Sequence, residues 1–127
     1  MLGRIAYTES NFNPNAVSPK GALGEFQFMP ETAQRYGVAN PFNPEDAAQG
    51  ASRYLRKLLN EFNGDVAKAA AAYNWGEGNV EKDVAAHGSR WREYLPDETR
   101  KYIDKVVGGQ PQQKPNVMAQ NLSLIHI

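Results

Sequence analysis

The chain has 127 residues, enough for one domain with one modest core. Its 14 basic and 14 acidic residues cancel to a formal net charge of zero, so the basic stripe that nucleic-acid binding needs is not expected. There is no cysteine, so neither a disulfide framework nor a thiolate metal site is available.

In chain order, Leu2, Ile5, Ala6 and Tyr7 make a short apolar-leaning stretch that places Glu9 at a helix end. This start lacks the apolar core of a signal peptide, and no run reaches transmembrane length, so no membrane insertion is expected. Export would depend on an upstream segment, a lysis system or delivery inside a virus particle. Asn11 to Gly24 is rich in proline, asparagine and glycine, which is loop chemistry. Pro30-Glu31-Thr32-Ala33 predicts a helix start, and Asn43-Pro44-Glu45-Asp46 a stronger one: an Asn cap, then proline, then two acids. From there Ala47, Ala51, Tyr54, Leu55, Leu58, Leu59 and Phe62 recur at helical spacing and predict one buried face.

Asn63-Gly64 is expected to end that helix and Asp65 to cap the next, which runs from Val66 to Tyr73. Ala69 to Ala72 are small enough to let neighbours approach closely, so this helix is placed centrally. Gly76 and Gly78 are expected to break it, with a short helix over Val80 to His87. Pro96 opens a last helix whose apolar side is Tyr102, Ile103, Val106 and Val107. No segment alternates at period two, so the class is all-α. Residues 1–108 are expected to form the domain and residues 109–127 a polar linker and tail, beginning Gly109-Gln110-Pro111-Gln112-Gln113-Lys114-Pro115. The apolar end, Leu122 to Ile127, resembles a translated sequencing-adapter end and is expected not to be native; the alternative is a short docking strand.

The first candidate for chemistry is Glu9, although most glutamates near a helix end are merely solvated. A carboxyl at a helix end in a cleft with aromatic walls loses hydration, which raises its pKa and keeps it protonated, as a general acid requires. Ordinary glycosidases need a second carboxylate, and Glu25 is the only acid in the Gly-rich loop. One acid suffices if the nucleophile is a hydroxyl already on the sugar, because its effective concentration is then high. Read from the residues alone, Tyr73 on an alanine-rich helix is more often core than catalytic, Asn74 could end its helix, and Gln27 could bond to loop backbone. Trp75 either stacks on a sugar face or covers the core. His87 and His126 have no ligand-like spacing, so no metal and no cofactor are expected.

The ordered set Glu9-Ser10, Gly24-Glu25-Phe26-Gln27-Phe28-Met29-Pro30 and Ala72-Tyr73-Asn74-Trp75-Gly76 resembles the lysozyme-like domain of soluble lytic transglycosylases. Phe12, Pro14, Ala16 and Ser18 match the residues that follow the acid in that family. Met29-Pro30-Glu31-Thr32-Ala33, Gly76, Gly78 and Val80, and Pro96-Asp97-Glu98-Thr99-Arg100-Lys101-Tyr102 match its later motifs. The similarity covers roughly Ile5 to Val107. It implies a helical fold with a substrate cleft, akin to goose-type lysozymes, and cleavage of the N-acetylmuramic acid to N-acetylglucosamine bond of peptidoglycan to give 1,6-anhydro ends. It implies Glu9 as the catalytic acid, then base. Ser10, Gln27, Phe28, Tyr73, Asn74, Trp75, Glu98 and Tyr102 would lie on the substrate side, Ser10 helping to hold Glu9.

Two departures stand out: only eight residues precede Glu9, and Glu25-Phe26 replaces the Leu-Met that usually precedes the glutamine. The Phe-Gln-Phe-Met-Pro and Tyr-Asn-Trp-Gly versions look most like modules of phage virion proteins. The expected setting is therefore a cell wall, periplasm or virion, and the expected form a monomeric domain of a longer protein. The alternatives are a hydrolytic muramidase on the same fold and a non-catalytic glycan-binding module.

Overall fold

The structure, a computed structural model, describes residues 1–108; the linker, the tail and the adapter-like end lie outside the described residues. Six α-helices run in order: α1 Leu2–Ser10, α2 Pro30–Arg35, α3 Pro44–Glu61, α4 Val66–Trp75, α5 Glu77–His87 and α6 Asp97–Val106. A 3₁₀ segment, Gly88–Tyr94, joins α5 to α6. Among the described residues only two isolated β-bridges occur, Val17 with Leu23 and Leu23 with Phe28, so the all-α class stands. The chain groups into two compact units whose boundary falls within α3, between Arg56 and Lys57.

In the first unit, α1 buries Ile5 and Ala6, whereas Tyr7, counted with the apolar stretch, is 61% exposed. The helix ends where Asn11 and then Phe12 turn left-handed (φ 57° and 61°), which releases the chain into the loop. Pro30 starts α2 as predicted, because a residue at the first turn has no intrahelical N–H bond to lose. Arg53 caps the other end of α2: its Nε and Nη2 donate to the Tyr36 carbonyl at 2.9 and 2.7 Å. Beside this, the rings of Tyr36 and Tyr54 lie 4.8 Å apart. The start of α3 is capped by Asn43, whose Oδ1 accepts from the Asp46 N–H at 2.9 Å. Its buried line is Ala47, Gly50, Ala51 and Leu55, continuing to Leu58, while Tyr54, Leu59 and Phe62 are only half-buried. Gly50 belongs to this line because a Cβ there would run into the Val38 side chain.

In the second unit, Asp65 caps α4 by accepting from the Lys68 N–H at 3.1 Å. Ala69, Ala70, Ala71 and Ala72 are all fully buried. Four consecutive positions at 100° steps span the whole circumference, so α4 is enclosed on every side, as its alanines predict. It packs against both α5 and α6. α4 continues two residues beyond the predicted end, through Asn74 and Trp75, and Gly76 with φ 105° breaks it. Gly78 does not break the chain: it sits exposed inside α5, which begins three residues earlier than expected. The Asn79 side chain closes the junction by donating to the Trp75 carbonyl at 2.7 Å. Trp91 anchors the 3₁₀ segment in the interior, with Lys68 Nζ 5.8 Å and the Arg92 guanidinium carbon 5.9 Å from its ring centre. α6 buries Thr99, Tyr102, Ile103 and Val106; Val107 is half-buried.

Candidate active site

In the first unit the site is built where α1 meets the Gly-rich loop. Glu9 is half-buried in the last turn of α1. The next residue, Ser10, ties that turn to the loop: its hydroxyl lies 2.8 Å from the Glu25 carbonyl and 3.1 Å from the Ala6 carbonyl. One hydroxyl proton serves only one of these at a time, and the shorter contact is the long-range one. The oxygen also accepts from the Asn13 N–H at 3.1 Å. Ser10 thus ties the turn that carries Glu9 to the loop, its proton and one of its two lone pairs engaged with backbone.

The loop beside it is a tight hairpin. Leu23 and Phe28 exchange both backbone bonds, at 2.8 and 2.9 Å, and the four residues between them make the turn. Gly24 opens it with φ +80°, packed so that a Cβ would overlap the Pro41 carbonyl. Gln27 closes it in the left-handed region at φ 54°, a conformation a non-glycine residue holds only when its surroundings impose it. Those surroundings are visible: Gln27 Nε2 donates to the Gly24 carbonyl at 2.9 Å and more weakly to the Ala16 carbonyl at 3.4 Å. Two carbonyls facing the nitrogen settle the orientation of the amide and leave Oε1 as its accepting group. The loop-bonding role weighed from sequence is therefore present, and it still leaves an acceptor for an N–H or hydroxyl. Phe28 is 2% exposed and belongs to the core together with Phe26. A ring with no free face cannot stack on a sugar, which corrects its placement on the substrate side.

In the second unit, Tyr73, Asn74 and Trp75 form the last turn of α4, all half-buried. Asn74 does not end the helix; its side chain is what the fold uses. Its Nδ2 donates to Glu98 Oε2 at 3.1 Å, and its Oδ1 accepts from the Thr99 hydroxyl at 2.8 Å. The Ala-Tyr-Asn and Glu-Thr-Arg motifs, 24 residues apart, are thereby joined. Glu98 is exposed in the first turn of α6. Tyr102 is 5% exposed, so it packs in the core rather than offering a face.

Two features were missed from sequence. Thr99 carries no signal in the sequence beyond its place in the Glu-Thr-Arg motif, yet its hydroxyl is buried and bonded. His87 was weighed only as a metal ligand. It stacks on Tyr94 with ring centres 3.5 Å apart, and its Nδ1 lies 2.8 Å from Oδ1 of Asp83, whose side chain is 3% exposed. The four-residue spacing of Asp83 and His87 on a helix was the available clue. Among the described residues no cluster of His, Cys, Asp or Glu could hold a metal.

Residues 1–95 match the transglycosylase SLT domain family, and the chain belongs to that family. It is 41% identical over 87 residues to the peptidoglycan transglycosylase gp16 of Escherichia phage T7, covering 63% of this chain and 7% of that protein. It is 32% identical over 115 residues to the membrane-bound lytic murein transglycosylase D of Escherichia coli, covering 81% of this chain and 25% of the relative. Among solved structures, the lytic transglycosylase Slt of Pseudomonas aeruginosa, an inactive glutamate-to-glutamine mutant, aligns with a TM-score of 0.71 and 30% identity. That match covers 83% of this chain and 19% of the other. The 70 kDa soluble lytic transglycosylase of Escherichia coli aligns with a TM-score of 0.73 and 29% identity, over 83% of this chain and 20% of that one. The fold is therefore the lysozyme-like helical fold of these enzymes. The chain spans a quarter or less of the length of each of these relatives.

Proposed function

We propose that this chain is the catalytic domain of a peptidoglycan lytic transglycosylase that cleaves the bond between N-acetylmuramic acid and N-acetylglucosamine. The observation that carries this is the Glu9-Ser10 pair: a half-buried acid at the end of α1, with the Ser10 hydroxyl holding the hairpin of Gln27 beside it. Family membership supplies the substrate class.

Glu9 protonates the glycosidic oxygen, the bond to C1 of the muramic sugar breaks, and the leaving sugar departs as an alcohol. The Glu9 carboxylate then takes the proton of the C6 hydroxyl as that oxygen closes on C1, forming the internal ether. The proton count returns to its start and no water is consumed, so one carboxylate performs both steps. Gln27 Oε1 is suited to accept from an N-acetyl N–H. In the second unit, Asn74, Glu98 and the half-buried Trp75 are the candidates for contact with glycan.

The relatives include membrane-bound murein transglycosylases and a phage protein, so the site of action is the cell wall, reached from the cell envelope or from a virion. No helix among the described residues is long and apolar enough to cross a membrane. The domain acts as a monomer within a longer protein.

The test is digestion of purified peptidoglycan by the full chain and by Glu9→Gln, with products read by mass spectrometry. Anhydro-muramic ends from the wild type and none from the variant are expected. Reducing ends would replace the C6 hydroxyl by water and make the domain a muramidase. Binding without products, unchanged in Glu9→Gln, would make it a glycan-binding module. Because Glu9 must start protonated, kcat/KM is expected to fall as pH rises through its pKa, and a rate that climbs there would exclude it as the acid.

A further inference from the structure

Thr99 sits in the first turn of α6, 1% exposed, with a hydroxyl that must be satisfied inside the protein. It donates at 2.8 Å to Asn74 Oδ1, while Asn74 Nδ2 donates at 3.1 Å to Glu98 Oε2. The direction of this chain is dictated by chemistry. An ionised carboxylate only accepts, so the Asn74 nitrogen must face Glu98. The amide oxygen then faces Thr99, and an amide oxygen only accepts, so the hydroxyl must donate. Rotating the Asn74 amide by half a turn would set its oxygen against the Glu98 carboxylate and leave the Thr99 hydroxyl facing an NH₂ group. The Glu98 carboxylate, which only accepts, therefore excludes the wrong amide orientation, and the Thr99 hydroxyl holds the right one by donating to the amide oxygen.

Glu98 is itself exposed, and no hydrogen bond to its Oε1 occurs among the described residues. Left alone, an exposed glutamate samples several rotamers at little cost. Anchored through one oxygen to an amide that cannot turn, it presents the other oxygen in one direction. We propose that Thr99 is a positioning residue for substrate: it orients Asn74, and through Asn74 it holds Glu98 so that Oε1 accepts a hydrogen bond from a hydroxyl or N-acetyl N–H of the glycan. The proposal rests on the transglycosylase reading for the identity of the ligand, and on the bonds alone for the positioning.

The full chain is compared with Thr99→Val, which keeps the shape and removes the hydroxyl, and with Thr99→Ser, which keeps the hydroxyl. The positioning is read by NMR on the side-chain NH₂ resonances of Asn74, with no turnover needed. In the wild type and Thr99→Ser these resonances should be those of an amide held by hydrogen bonds; in Thr99→Val they should move toward those of a solvated asparagine. Glu98→Ala, at an exposed position that folding tolerates, should shift them as well, so the bond chain is tested even if Thr99→Val fails to fold. Unmoved resonances in Glu98→Ala or in a folded Thr99→Val overturn the proposal. On peptidoglycan, Thr99→Val should raise KM about 3- to 10-fold with kcat within about twofold, the signature of lost ground-state binding. Thr99→Ser should restore KM, and Thr99→Val should add nothing in a Glu98→Ala background. A KM increase that persists in that background would make Thr99 merely structural and overturn the proposal. A wild type that yields no anhydro product would sink the transglycosylase reading instead, and the resonances would still decide the role of Thr99.

Discussion

Ser10 does the most with the fewest atoms. One hydroxyl joins the end of α1 to the Glu25 carbonyl and receives the Asn13 N–H, so Ser10→Ala should cost about 1–2 kcal/mol in urea unfolding. Activity should fall further than that stability loss explains, because the hairpin of Gln27 loses its tie to the turn that carries Glu9. An equal loss of both would reduce Ser10 to a structural role. Gly24→Ala should be harsher, about 2–4 kcal/mol, since it combines a left-handed backbone with a clash against the Pro41 carbonyl that cannot move aside. Activity that survives with unchanged stability would contradict that packing. The Glu9-Ser10 pair was legible in the sequence as a motif. The reason for the serine was not, because its decisive partner lies 15 residues away.

Elements set by local chemistry were read well. Asn43-Pro44 and Asp65 start α3 and α4 because a cap satisfies N–H groups within three residues of itself, a range that sequence shows directly. Asp65→Ala should therefore cost about 1 kcal/mol, the usual worth of a cap. The 3₁₀ segment was not read, since seven residues are too few to display a period. It is held to α5 partly by His87, which stacks on Tyr94 and pairs with the buried Asp83. His87→Ala leaves that carboxylate without its partner, and a loss of about 1–3 kcal/mol is expected, at or above that of the exposed-end cap. Equal melting temperatures for His87→Ala and wild type would show that the pair contributes nothing. Gly78 does not break the chain because an exposed glycine in a first helical turn costs only about 1 kcal/mol, which the burial of Val80 on the same helix offsets.

At the scale of the whole chain, the zero net charge carries a prediction about the substrate proposed for it. Peptidoglycan is anionic, and a neutral protein gains no long-range steering toward it. Binding of Glu9→Gln to sedimented cell wall should then change by less than about threefold between about 0.05 and about 0.5 M salt, where a charge-driven association would fall steeply. A steep fall would mean that a local cluster, not shape and hydrogen bonds, holds the wall. Both the family match and the similarity to lytic transglycosylase structures cover most of this chain, and the chain covers a quarter or less of those relatives.

The sequence by itself determined the all-α class, most helix starts and the family, because caps, periodicity and short motifs act within a few residues and leave their pattern in the order of the chain. It also singled out Glu9, Gln27, Tyr73, Asn74 and Glu98 as the residues to examine. Only the tertiary structure decided what each side chain does. It turned Phe28 and Tyr102 inward and spent the Ser10 hydroxyl on backbone. It pinned the nitrogen of Gln27 to two carbonyls, and it joined Asn74 to Glu98 and Thr99 across 24 and 25 residues. Burial and hydrogen-bond partners depend on what lies alongside in space, and no local pattern encodes a neighbour that the chain reaches only after folding back on itself.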